Sequence, residues 1–234
     1  EEFMHEPVFV MSDDLEVEVP EIDQFAVRIG RGNKLWVLGR LIANMNDSDQ
    51  MLIFTNTKRM VELLEERLGK FGMEATGMHG DKAQNRREKI LDSLRDGTTK
   101  IVVATDVAAR GIDVDGITYV VNYALPDDTE SYVHRIGRTG RAGRSGDAIL
   151  FVAPREKRLL GAIERATKSK IEMMELPSAN LINDKRIEKF NQRISDTLAN
   201  EDLTFFSGLI EKFEQEHNIP AVEIGAALAR MVQG

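Results

Sequence analysis

The chain has 234 residues, 42% of them hydrophobic and 30% charged, a mix that builds a core and excludes a wholly disordered protein. It has no cysteine and four scattered histidines (His5, His79, His134 and His217), which excludes a disulfide framework, a thiol nucleophile and a thiolate metal site, and no metal site is expected. The net charge of -8 speaks against a polyanionic partner only as an average: residues 1–50 carry 4 Lys/Arg against 11 Asp/Glu, residues 51–153 carry 15 against 15, and residues 154–234 carry 12 against 13.

In chain order, residues 24–29 read as a strand and 33–45 as the helix after it. Residues 51–54, Met-Leu-Ile-Phe, form an apolar run of buried-strand length. Met60, Val61, Leu63, Leu64 and Leu68 then recur at helical spacing, with Gly69 and Gly72 closing the helix. Residues 74–78 are expected as a strand. Residues 84–94 are expected as a helix with Ile90, Leu91 and Leu94 on one face. Residues 101–104 form the clearest buried strand and end on a Thr-Asp turn. Residues 117–121 and 148–152 are two more strands, and 155–167 a helix. Strands alternating with helices predict a parallel sheet covered on both faces.

Beyond Pro177 the strand signals stop. Ile182, Ile187, Phe190, Ile194 and Leu198 form one apolar stripe at helical spacing; Leu203, Phe206, Leu209, Ile210 and Phe213 form a second; Ile224, Ala227, Leu228 and Met231 form a third. Three helices over ~55 residues make a meagre core, so they are expected to pack on the α/β domain or on a partner chain. No apolar run approaches the ~18 to 20 residues of a membrane span, and the first residues are no secretory signal, so a cytoplasmic location is expected.

Four segments at predicted strand ends carry chemistry. The first is residues 104–113, Ala-Thr-Asp-Val-Ala-Ala-Arg-Gly-Ile-Asp. Ligands of open α/β sheets bind beyond the carboxyl ends of strands, where Thr105 and Asp106 fall. Thr105 offers a hydroxyl and an N–H to a phosphate, and Asp113 suits a ribose hydroxyl. A plain helix cap at Thr105 or Asp106 fits equally well. The second is residues 134–144, where Arg135, Arg138, Arg141 and Arg144 alternate with Gly137, Gly140 and Gly143. Guanidinium forks onto phosphate oxygens, and glycine lets the backbone approach a ligand. A flexible Gly/Arg loop is the plain alternative. The third, residues 79–88, sets Gln84 and Arg87 one turn apart; a capped helix start with Asp81 as cap explains it too. The fourth, residues 54–59, places small polar residues after a strand, to touch phosphate or to cap the helix.

In this order the four segments resemble the DEAD-box family of superfamily 2 RNA helicases, closely over residues 50–153 and in layout from 1 to about 170. Residues 52–59 look like the family's motif IV, 79–87 like its Gln-x-x-Arg motif, 104–113 like motif V and 134–141 like motif VI. The resemblance implies a RecA-like parallel sheet flanked by helices over residues 1–172, followed by a small all-α helical appendage over 173–234. It implies that Arg138 and Arg141 are arginine fingers on ATP, worth ~10³ to 10⁵ in rate, and that Gly111 and Asp113 complete the nucleotide site. It places Asn56, Thr57, Gly80, Gln84, Arg87 and Thr105 on the RNA sugar-phosphate backbone. His134 and Arg135 are implied at the interface with a partner domain, coupling ATP to RNA. Backbone contacts carry little sequence information, so such binding is largely sequence-independent.

The chain has neither the P-loop nor the Asp-Glu-Ala-Asp segment that would hold Mg²⁺. The expectation is therefore the C-terminal half of a longer helicase, inactive alone, whose partners are RNA and an N-terminal RecA-like domain. Residues 175–231 are similar to the dimerisation extension of bacterial cold-shock DEAD-box helicases, which implies a homodimer; an intramolecular cap is the alternative. A superfamily 2 enzyme acting on DNA and a non-catalytic RNA-binding or dimerising module are the rival readings. A dinucleotide oxidoreductase fails, because Gly137 and Gly140 do not directly follow a strong apolar strand.

Overall fold

The computed structural model describes residues 22–30, 32–176 and 178–233. Residues 1–21, part of the expected 1–172 domain, lie outside the described residues. Two compact units divide the chain between Pro177 and Ser178, whereas the sequence reading drew the boundary after residue 172.

The first unit is built on seven strands: β1 (Ile22–Arg28), β2 (Met51–Thr55), β3 (Thr76–Met78), β4 (Ile101–Thr105), β5 (Tyr119–Asn122), β6 (Gly146–Val152) and β7 (Glu172–Met173). All are parallel, in the order β3-β4-β2-β5-β6-β1-β7. The helices are α1 (Lys34–Ala43), α2 (Lys58–Lys70), α3 (Gln84–Arg95), α4 (Asp106–Ala109), α5 (Thr129–Ile136) and α6 (Lys157–Thr167).

The central strands are apolar throughout because both faces of the sheet are covered. Neighbouring residues of a strand point to opposite faces. Met51 and Ile53 pack with Val37, Leu38, Val61 and Leu64 of α1 and α2. Leu52 and Phe54 pack with Ile90 and Leu94 of α3. A third cluster joins Ala148 and Leu150 of β6 to Tyr132 and Ile136 of α5 and Ile163 of α6.

Three local readings change. Gly69 lies inside α2, and the turn is made by Gly72 at φ +71°, in the region that suits a residue without Cβ. The Thr-Asp turn is instead the start of α4. Strand β7 has two residues, too few for a periodic signal.

Because every strand is parallel, all carboxyl ends share one edge, which carries Thr55, Thr105 and Asn122. The opposite edge is acidic. Asp23 and Asp147 are register partners there. Burial, then the charges of Asp23 and Asp49, push the Asp147 carboxyl above its ordinary value.

The second unit holds α7 (Ala179–Asn200), α8 (Thr204–His217) and α9 (Ala221–Gln233). Asn218 closes α8 in the left-handed region, at φ +53°. The Ala221 N–H at the start of α9 donates to Glu214 Oε1 of α8 (3.2 Å). Ile224 is the buried apolar residue among the unit's described side chains, while Phe205, Phe206, Leu209, Phe213 and Met231 are exposed. Among the described residues no helix is long and apolar enough to cross a membrane.

Candidate nucleotide and nucleic-acid site

Arg135 organises the carboxyl edge of the sheet. It projects from the last turn of α5, a helix whose Asp128 cap accepts from the Ser131 N–H (2.6 Å). Its side chain is 1% exposed. Nε donates to Asp106 Oδ1 (2.6 Å) and Nη2 to Asp106 Oδ2 (2.8 Å). Nη1 donates to Asn122 Oδ1 (3.0 Å) and the Ala124 carbonyl (2.7 Å), and Nη2 also donates to Asn56 Oδ1 (3.1 Å). The guanidinium lies 5.1 Å from the Phe54 ring centroid. All five guanidinium donors are thereby satisfied, and the buried charge is paired. The Arg135 side chain is thereby committed to partners within this domain. It ties the ends of β2, β4 and β5 to α5, a role that follows from its burial. His134, its neighbour, is exposed.

The other two arginines are held more loosely. Arg138 donates from Nη1 to the Ile112 carbonyl (2.8 Å) and from Nε to the His134 carbonyl (3.3 Å). Burial, and then the Arg141 charge, lower its pKa from the ordinary value, while Asp113 opposes them. Guanidinium stays protonated all the same. Arg141 donates from Nε to the Gly137 carbonyl (2.9 Å) and forms an ion pair with Asp113. The Asp113 carboxylate is 83% exposed, so that pair is open to exchange with solvent or ligand. Gly111, at φ +87°, makes the turn that brings Asp113 back to Arg141. A cavity of about 280 Å³ opens beside them, lined by Phe54, Asp106, Arg110, His134, Arg135 and Arg138. Arg141 and Asp113 do not line it; with Arg138 they set two guanidiniums and an acceptor-only carboxylate near one another, groups that fit phosphate and a sugar hydroxyl.

The remaining predicted residues lie at the ends of β2, β3 and β4. Thr57 caps α2, its Oγ1 accepting from the Met60 N–H (3.2 Å). Asn56 donates to the Leu125 carbonyl (3.1 Å) while accepting from Arg135. Both side chains are committed to the fold, which leaves the exposed turn itself to face a ligand. Gly80 is exposed after β3. Asp81 does not cap α3. It pairs with Lys58 (2.5 Å), tying the Gly80 loop to the start of α2, and Ala83 takes the cap position. Arg87 donates to Gln84 Oε1 (3.3 Å) and to the Ala108 carbonyl of α4 (3.3 Å). This brings the first turn of α3 beside Thr105. Of these residues the Arg135 side chain touches Asn56.

Sequence reading missed Asn122 and Gly146. Asn122 is a lone polar residue ending an apolar strand, a readable signal. Gly146 carries none: a Cβ there would meet Thr139 Oγ1 at 2.0 Å and the Gly140 N at 2.7 Å. Thr139 is itself buried and donates to the Ile117 carbonyl (2.5 Å), which seats the Arg138–Arg141 turn against β6. Among the described residues no group of three His, Asp or Glu is gathered to hold a metal ion.

The helicase conserved C-terminal domain family matches residues 33–143, and the RNA helicase DeaD dimerization domain matches residues 177–234. The ATP-dependent RNA helicase DeaD of Mycobacterium tuberculosis is 42% identical over 232 residues, which is 99% of this chain and 41% of that protein. The DEAD-box ATP-dependent RNA helicase CshA of Bacillus cereus is 40% identical over 218 residues, 93% of this chain and 41% of that protein. The chain thus spans about two fifths of the length of these relatives. Among solved structures, E. coli DEAD-box protein SrmB, bound to regulator of ribonuclease activity A, matches with TM-score 0.61 and 30% identity over 68% of this chain and 98% of that one. S. cerevisiae Dbp5 bound to RNA and ADP BeF3 matches with TM-score 0.62 and 35% identity over 74% of this chain and 46% of that one. With a RecA-like parallel sheet, a matching helicase C-terminal domain model and these DEAD-box relatives, this chain belongs to the DEAD-box family, as a C-terminal helicase domain.

Proposed function

We propose that this chain is the C-terminal half of an ATP-dependent RNA helicase, supplying arginines to ATP and gripping the RNA backbone. The observation that carries the reading is the Arg135 bracket. One buried side chain joins the Asn56 turn and Asp106, beside Thr105, to the helix that leads into Arg138 and Arg141. A shift of the arginines is therefore transmitted to the ends of β2 and β4.

In this reading Arg138 and Arg141 stabilise charge on the transferring phosphate, and Asp113 and Gly111 receive the ribose. Asp113 exchanges Arg141 for a sugar hydroxyl when nucleotide arrives. The Asn56–Thr57 turn, Gly80, Gln84, Arg87 and Thr105 hold the sugar-phosphate backbone. An N-terminal RecA-like domain brings the triphosphate cradle and Mg²⁺ and faces His134. Without that domain the chain hydrolyses no ATP. The exposed apolar residues of α8 and α9 fit a homodimer interface, and the whole protein acts in the cytoplasm.

The test is Arg138→Ala in the longer enzyme: ATP turnover falls by ~10³ or more, with RNA binding retained. Unchanged turnover refutes the finger role. Unwinding of DNA as fast as RNA would favour the DNA-directed reading instead.

A further inference from the structure

We infer that a single strand of RNA held at the β3–β4–β2 end of the sheet continues across the β5–β6–β1 end, where Lys34, Arg67 and Arg155 receive its phosphates. The inference rests on the RNA-binding reading above and extends it to a surface that none of the four motifs covers.

A cleft of about 620 Å³ lies there, formed by the start of α1, the side of α2 and the loops after β5 and β6. Its polar side chains are Lys34, Arg67, Tyr123 and Arg155, with no carboxylate or amide among the lining residues. Arg67 and Arg155 are exposed and make no ion pair among the described residues. Lys34 Nζ donates to the Tyr123 carbonyl (2.7 Å) and lies 5.4 Å from the Tyr123 ring centroid, which leaves two of its three N–H groups for a ligand. Burial lowers its pKa first; the Glu156 charge opposes this and the Arg155 charge adds to it. Glu156 is the nearby acid, and its carboxylate already accepts from the Ala153 N–H (2.7 Å).

A wall of cationic donors suits a ligand made of acceptors. Phosphodiester is such a ligand, whereas a peptide brings donors and acceptors in equal number. The path also continues. Beyond the ridge of Gly30 and Pro154, a second cleft of about 570 Å³ presents Arg28 and Lys157. The acid lining it, Glu164, has its carboxylate engaged by the Ile171 N–H (3.2 Å). Both clefts open on the carboxyl edge that holds Thr105 and the Asn56–Thr57 turn, and strands along it are about 5 Å apart. A few nucleotides bridge the gap.

The experiment compares oligouridylates of about 6 and about 20 nucleotides binding to this 234-residue chain and to its Arg67→Gln/Arg155→Gln variant, by fluorescence anisotropy between roughly 50 and 200 mM salt. Both side chains are exposed, so folding is preserved, and melting of the variant checks this. The inference expects the wild-type chain to bind the longer RNA more tightly. The double substitution removes that gain, makes the log–log salt slope shallower by about 1.4, and leaves the short RNA unaffected. Equal affinity and slope for the two proteins on long RNA overturns the inference. Binding of short RNA with no gain from length overturns it alone, whereas binding of neither RNA overturns the RNA-binding reading and this one together. Pyrophosphate or oligoglutamate that shifts the Tyr123 amide resonance, with no effect of RNA length, assigns the cleft to a small anion or an acidic peptide and also overturns it.

Discussion

In the first unit the large apolar side chains of the central strands vanish from the surface: Leu52, Ile53, Phe54, Val102, Val103 and Phe151 are at most 1% exposed. In the second unit Leu198, Phe205, Val222 and Met231 are between 67% and 83% exposed. Both regions carry apolar residues at regular spacing. The difference lies in what the spacing meets. A parallel sheet offers two broad faces, and helices returning from it must lie across them. Three helices without a sheet offer each other only narrow stripes, and the remainder faces outward. Exposed apolar residues in this number are what the homodimer proposed above would cover. The first unit thus buries its apolar residues within itself, and the second leaves most of its own exposed among the described side chains.

This contrast can be broken in graded steps, with Trp36 fluorescence as a reporter, since the chain's single tryptophan lies on α1. The largest expected effect is Arg135→Ala, which leaves Asp106, Asn122 and Asn56 without their donor. It should destabilise the first unit by about 3 kcal/mol, at the low end for a broken buried pair because Asp106 is 38% exposed and partly screened. An unchanged denaturation midpoint would remove the bracket from the account. Gly146→Ala forces a Cβ against the Thr139 hydroxyl and the Gly140 N–H and should cost about 2 kcal/mol. Crystals of that variant should show the Arg138–Arg141 turn displaced. Thr57→Ala removes the α2 cap, with an expected loss of about 1 kcal/mol by urea titration. Phe205→Lys with Leu209→Lys should leave the Trp36 midpoint where it was while abolishing self-association in sedimentation. If the same pair lowers the first unit's midpoint, the two units are not energetically separate.

The sheet was legible because its strands are short unbroken apolar runs; residues 51–54 and 101–104 could be little else. The site's residue types were legible too, since arginine, glycine and threonine at strand ends suggest anion chemistry before any coordinates exist. Their division of labour was not. Arg135, Arg138 and Arg141 sit at equal steps in one run, and nothing in the letters says that the first is buried with five acceptors while the other two rest on carbonyls. That follows from Asn56, Asp106 and Asn122, which are distant in sequence and adjacent only because β2, β4 and β5 are neighbours in the sheet. The committed state of the Asn56 and Thr57 side chains was hidden for the same reason. Gly146 was illegible because its constraint is the backbone of another segment.

The all-parallel sheet has an electrical consequence. Asp23, Asp49 and Asp147 crowd its amino edge, whereas Lys34 and Arg155 stand at its carboxyl edge. Carboxylates thus meet at one end of these strands and free cations at the other, although the middle of the sequence is neutral overall. A polyanion drifting toward the first unit feels a torque before it feels any contact, and one end of the domain turns to meet it. Raising the ionic strength weakens that long-range alignment before it weakens the close grip. In the RNA-binding reading proposed above, orientation set by the direction of the strands would precede contact.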